Sequence, residues 1–200
     1  MSETKAEKLL RLARSQQVLR THDLLAAGIP RNYLGRLVRK GELRKLERGL
    51  YTPISMPASE HISLLEVSRK VPKAVICLLS ALRFHEIGTQ TPNEVWIALG
   101  VKAWAPKISS PAVRIVRFSG KAFHFGTEEK KVSGGNIRVY APAKTVADCF
   151  KFRNKIGTDV ALEALRDCYR QKKASMDQLW EAAKVCRVAN VMKPYLESLR

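Results

Sequence analysis

Asn32, Arg36 and Arg39 are the residues of this 200-residue chain whose types and spacing suit a definite chemical task. On a helix they recur at i, i+4 and i+7 and fall within roughly 40° of one direction. A guanidinium bonds guanine O6 and N7 together, and a carboxamide bonds adenine N6 and N7, so this face carries the side chains that read bases in a major groove. The competing reading is an ordinary solvated charged face. Arg31, Tyr33 and Lys40 flank the three readers, and Arg44, Lys45 and Arg48 follow closely, all suited to phosphate or minor-groove contacts.

Other constellations are weaker. A metal-dependent nuclease needs carboxylates and a lysine around one cation. The matches of interest are Glu128-x-Lys130 and Glu129-x-Lys131, in a polar, glycine-flanked run that reads as a charged loop. His22, His61, His85 and His124 make no His-x-x-x-His pair. Cys77, Cys149, Cys168 and Cys186 make no C-x-x-C pair and read as buried small hydrophobes. There is no phosphate-binding Gly-x-x-x-x-Gly-Lys loop, and Ser133-Gly134-Gly135 lacks the paired aspartates of a nucleotidyltransferase. Thr145 and Asp148 have the spacing of a helix cap. Trp96, Trp104 and Trp180 suit interface anchors, but large aromatics are usually core. No catalytic residue, metal or cofactor is expected.

The readers need a scaffold. Ala6, Leu9, Leu10 and Ala13 make one stripe of a helix over Lys5–Gln17. After a brief extended segment at 18–20, Thr21 is placed to cap a second helix that stops at Gly28. Pro30 opens a third, running to Lys40, whose Leu34, Leu37 and Val38 face inward. Gly41 ends it, and Leu43–Glu47, the turn Arg48-Gly49 and Leu50–Thr52 form a hairpin closed by Pro53. Three helices followed by a basic hairpin is the winged helix-turn-helix plan, and seven of the eighteen residues from Arg31 to Arg48 are Lys or Arg.

Pro53 to Ser59 reads as a link. A helix over His61–Lys70 follows, then Ala74–Ile87, apolar enough for a core helix although its Val-Ile-Cys start suits a strand equally. Strands are expected at Glu94–Leu99, Pro111–Phe118 and Asn136–Tyr140, while Phe123–Gly126 is ambiguous. Helices are expected at Pro142–Phe150, Thr158–Gln171, Met176–Arg187 and about Lys193–Leu199, with Pro194 in a first turn. The expected architecture is α+β: an amino-terminal winged helix-turn-helix over 1–54, and over 60–200 a mixed α+β domain with a small sheet and a helical carboxy-terminal half.

The formal charge is +18. Residues 1–55 hold twelve Lys or Arg against five Asp or Glu, and the remainder twenty-four against thirteen, so a polyanion partner suits both halves. No window has the length of apolar sequence that a membrane helix needs. The start, Met-Ser-Glu-Thr-Lys, has no signal-peptide core, so a cytoplasmic protein without a membrane partner is expected.

Arg48-Gly49-Leu50-Tyr51, Leu79-Ser80-Ala81-Leu82 with His85, Asn93-Glu94-Val95-Trp96-Ile97-Ala98 and Ala141-Pro142-Ala143-Lys144-Thr145-Val146-Ala147-Asp148 stand in an order and spacing that resemble the AbiEi family of antitoxins from abortive-infection (type IV) toxin-antitoxin systems. That resemblance implies a DNA-binding transcriptional repressor and antitoxin of phage defence. It would autoregulate its operon through inverted repeats in double-stranded DNA, where two copies could sit as a dimer. It would counter a nucleotidyltransferase toxin without a stable complex. The alternative from another class is a metal-dependent nuclease delivered to DNA by its head.

Overall fold

The computed structural model describes residues 3–55 and 61–199, so the expected link lies outside the described residues from Met56 onward. The chain divides into two compact units, Met1–Lys70 with Lys131–Asn136, and Val71–Lys130 with Ile137–Arg200.

The first unit runs α1 (Lys5–Gln16), β1 (Leu19–Arg20), α2 (Thr21–Ala26), α3 (Asn32–Arg39), β2 (Leu43–Glu47), β3 (Leu50–Pro53) and α4 (Ile62–Lys70). Thr4 and Glu7 cap α1 reciprocally: the Thr4 hydroxyl accepts from the Glu7 N–H at 3.3 Å and the Glu7 carboxylate from the Thr4 N–H at 2.8 Å. Leu9 and Ala13 of α1 then bury against Leu19, Leu24, Ile29, Leu34, Leu37 and Leu43, one leucine-rich core shared by the helices and the sheet. The strands are ordered β1-β3-β2, both pairings antiparallel. Thr21 is the first residue of α2 rather than its cap. Asp23 closes that end by accepting from the Arg20 N–H at 2.8 Å, and Thr21 donates its N–H to the Gly49 carbonyl at 2.9 Å. The hairpin turn is thereby fixed to α2. Likewise α3 starts at Asn32, because Pro30 and Arg31 form the turn before it.

Helix α4, read from sequence as the opening of the body, is tied to head residues. Arg69 lies 3.6 Å from Asp23, and Lys70 reaches Glu47 at 2.5 Å and Glu66 at 2.9 Å. The segment Lys131–Asn136 belongs to the same unit. Gln17 donates to the Ser133 hydroxyl at 2.7 Å, and a Cβ at Gly134 (φ +94°) would stand 2.6 Å from the Gln16 carbonyl oxygen, so only glycine fits there.

The second unit contains β4 (Val75–Ile76), α5 (Leu78–Phe84), β5 (Val95–Gly100), β6 (Val113–Phe118), α6 (Lys121–His124), β7 (Thr127–Val132), β8 (Gly135–Tyr140), α7 (Pro142–Lys151), α8 (Arg153–Ile156), α9 (Thr158–Arg170), α10 (Met176–Val185) and α11 (Ala189–Glu197). Its mixed sheet has the order β6-β5-β4-β8-β7, antiparallel at β4–β5 and parallel at β4–β8 and β5–β6. The class is α+β. The stretch 74–87, open in the sequence, splits into a strand and a helix at Cys77-Leu78. There the Cys77 N–H donates to the Trp96 carbonyl at 3.0 Å and Leu78 turns the chain with φ +44°. Strand β7 replaces the expected charged loop, α6 takes in only Phe123 and His124 of the ambiguous segment, and Pro194 lies inside α11 rather than in its first turn.

Helix α7 is the centre of this unit, buried from Ala143 to Phe150 and packed against α5, α9, α10 and α11. Thr145 and Asp148 do not cap it. The Thr145 hydroxyl donates to the Tyr140 carbonyl at 3.1 Å, and Asp148 forms an ion pair with Lys144 in which both side chains are wholly buried. The Tyr140 carbonyl also accepts from His85 Nε2 at 2.7 Å. Burial holds the His85 imidazole below its ordinary range, outweighing that hydrogen bond. A histidine depressed in the folded state contributes stability that is whole above the unfolded value of 6.5 and declines as pH falls below it. We therefore expect the urea midpoint of the wild type to drop as pH falls below the unfolded value of 6.5, and the His85→Gln variant to lose that part of the slope. Parallel slopes for both proteins would refute the assignment.

Candidate nucleic-acid interface

The exposed face of α3 is built by what its opposite face buries. Leu34 and Leu37 are locked into the core and Val38 is half-buried against it, so Asn32, Arg36 and Arg39 emerge into solvent together. Arg31 and Lys40 are exposed at the two ends of the helix. Tyr33 is half-buried, its ring packed on the core. Arg39 Nε lies 3.4 Å from the Gly35 carbonyl, a weak tether that leaves the guanidinium tip free.

Arg44 and Lys45 are exposed on β2, an edge strand, and Arg48 is exposed at the hairpin turn. The register shifts between Lys45 and Glu47, which adds local twist just before that turn. No Asp or Glu occurs between Asp23 and Glu42. Glu47 is engaged by Lys70. Among the described residues none of the seven cations from Arg31 to Arg48 is in an ion pair. Their charge is therefore uncompensated within the chain, as a surface that neutralises phosphates requires.

Gly35 is a feature of this face that the helical angles do not single out. It lies inside α3, exposed, and a Cβ built on it meets nothing within 4 Å. A helix-interior glycine costs about 0.5–1 kcal/mol relative to alanine, and no neighbour in the chain calls for it.

The other candidates are placed differently. Glu128 and Lys130 lie two apart on β7 and pair with one another at 2.8 Å. Among the described residues no three His, Cys, Asp or Glu come together to hold a metal. All four cysteines are free and buried, and burial pushes each thiol up, Cys168 to about 11 and Cys186 to about 12, so they are protonated at neutral pH. Lys144 and Asp148 are closed to solvent. Trp96 is core and Trp180 half-buried, but Trp104 is exposed, against the sequence reading. No described helix is long and apolar enough to cross a membrane.

Residues 7–54 match the family of transcriptional regulators described as AbiEi antitoxin. The match runs from α1 to β3 and holds every candidate DNA-binding residue, and it is the family that the sequence motifs resemble. No curated protein is significantly similar to the chain. Among solved structures, the chain is similar in fold to the RV2827C protein from Mycobacterium tuberculosis, at 16% identity and a TM-score of 0.61, over 92% of this chain and 72% of that one.

Proposed function

We propose that the chain is a sequence-specific DNA-binding repressor and antitoxin. Residues 1–54 act as a winged helix-turn-helix with α3 in the major groove and the β2–β3 hairpin as wing. The observation that carries this reading is the uncompensated face of Asn32, Arg36 and Arg39 beside the basic hairpin, in the segment that matches an antitoxin regulator family. Asn32, Arg36 and Arg39 read bases; Arg31, Tyr33, Lys40, Arg44, Lys45 and Arg48 hold phosphates or the minor groove. In the cytoplasm, two copies repress the chain's own operon through inverted repeats. The domain over 60–200 serves to counter a nucleotidyltransferase toxin without forming a stable complex with it, and does no catalysis of its own.

The test is fluorescence anisotropy on the duplex upstream of the chain's own gene and on a shuffled duplex, at one salt concentration. Tight binding to the first alone is expected, and equal affinity for both would sink the reading. Co-expression with a neighbouring nucleotidyltransferase tests the antitoxin half, where growth must be restored.

Gly35 sharpens the first test. The proposed role of its bare Cα is to let α3 approach the groove closely. Gly35→Ala is expected to stabilise the head by up to about 1 kcal/mol in urea melts and at the same time to weaken operator binding. A variant both more stable and equally tight would remove α3 from the groove.

A further inference from the structure

Trp104 is 87% exposed, the most exposed large apolar residue among the described residues, and Val101 beside it is 61% exposed. Tryptophans are enriched where one face meets a partner, and one left this open in a free chain marks a contact surface. The turn that carries it is fixed. The Val101 N–H donates to the Phe118 carbonyl at 3.1 Å and the Ala103 N–H to the Gly100 carbonyl at 2.9 Å. Arg117 Nη1 then donates to the Gly100 and Ala103 carbonyls at 2.9 and 2.6 Å. Trp104 follows directly on this braced turn, so the indole is held out from the body before any partner arrives.

The charge around it is one-sided. Between Glu94 and Glu128 the chain has no Asp or Glu and five Lys or Arg: Lys102, Lys107, Arg114, Arg117 and Lys121. Arg114 is paired with Glu94 and Arg117 braces the turn, which leaves Lys102, Lys107 and Lys121 exposed, the first two on either side of Trp104 in the sequence. An exposed aromatic surface flanked in the sequence by two exposed lysines matches a chain of flat bases on a phosphate backbone. In a duplex both faces of each base are covered by its neighbours, so a protruding indole finds a free face where bases are unpaired.

We propose that the β5–β6 loop binds single-stranded nucleic acid, with Trp104 stacked on an unpaired base and Lys102 and Lys107 on the flanking phosphates. The site is in the second unit and does not depend on the head's reading of duplex DNA.

The experiment uses the full chain with labelled twelve-nucleotide oligouridine and oligothymidine, a random duplex, and polyglutamate as an acidic competitor. Binding to both oligonucleotides is expected, with quenching of the exposed tryptophan's emission. Trp104→Leu should weaken both by roughly tenfold or more, while Trp104→Phe keeps most of the affinity. Lys102→Gln with Lys107→Gln should flatten the salt dependence. Trp104→Leu should leave binding to the duplex upstream of the chain's own gene unchanged, which keeps this result separate from the fate of operator binding. The proposal is overturned if Trp104→Leu binds the oligonucleotides as tightly as wild type, or if it weakens random duplex by the same factor. It is also overturned if polyglutamate binds as tightly with the same dependence on Trp104, which would indicate an acidic protein partner. Circular dichroism confirms that each variant is folded, as substitution at an exposed position should leave it.

Discussion

Asp148→Ala is expected to destabilise the second unit by about 3–5 kcal/mol, the cost of leaving a buried charge without its partner. Asp148 and Lys144 have no exposed surface, and the Lys144 ammonium lies 4.6 Å from the Phe118 ring centre and 4.1 Å from that of Tyr140. Burial pushes the Asp148 carboxyl up, while Lys144 and the Cys186 thiol, 3.4 Å from its other oxygen, pull it down. Burial outweighs them and leaves the carboxyl above its usual range, while the ammonium pairs with no other carboxylate among the described residues and its two aromatic neighbours favour its charged form. Removing the carboxylate leaves that ammonium stranded between rings, in the helix against which α5, α9, α10 and α11 all pack. The double variant Lys144→Met, Asp148→Leu removes both charges at similar volume and should recover most of the loss. Urea midpoints read both effects. A single-variant loss below about 1 kcal/mol, or a double variant no better than the single, would show that the pair is solvated and dispensable.

The same pair shows where sequence stops being informative. Lys and Asp at i, i+4 read as an exposed surface pair, and this order opposes the helix dipole, with the cation in the first turn and the anion near the end. Nothing local predicts its burial. That comes from α5, α9, α10 and α11 closing around α7, contacts distant in the chain. The Thr145-x-x-Asp148 spacing suggests a cap, but α7 already begins at Pro142, so the Thr145 hydroxyl bonds back to Tyr140 and Asp148 pairs with Lys144 inside the helix. Strand β7 is hidden because Thr-Glu-Glu-Lys-Lys-Val has no apolar alternation to report, and its position at the sheet edge lets polar side chains point both ways. Helix α4 reads as body by its place after the prolines, whereas its ion pairs to Asp23 and Glu47 require the folded head. The head is legible because its logic is short-range. Leu34 and Leu37 fix the inner face of α3, Gly41 and Gly49 take positive φ where the chain must turn, and the outward face follows from the helical angle alone.

That outward face carries the prediction with the largest effect on binding. Replacing Asn32, Arg36 and Arg39 together with alanine is expected to reduce affinity for the operator about 10³-fold or more, to the level of random DNA, since specific binding exceeds nonspecific binding by at least that factor. Arg36→Ala alone should cost about 1–3 kcal/mol on the operator and far less on a shuffled duplex. The β2–β3 hairpin is expected to behave in the opposite way. Replacing Arg44, Lys45 and Arg48 with glutamine should weaken both duplexes alike and reduce the slope of log affinity against log salt by about 0.9 for each phosphate that is no longer neutralised. The contrast is informative because both sets lie in one small unit and all six residues are exposed, so neither substitution disturbs the leucine core that positions them. Anisotropy titrations at several salt concentrations measure both quantities at once. If the triple variant loses affinity equally on operator and shuffled DNA, these three side chains bind phosphates, and base readout must come from elsewhere on the chain.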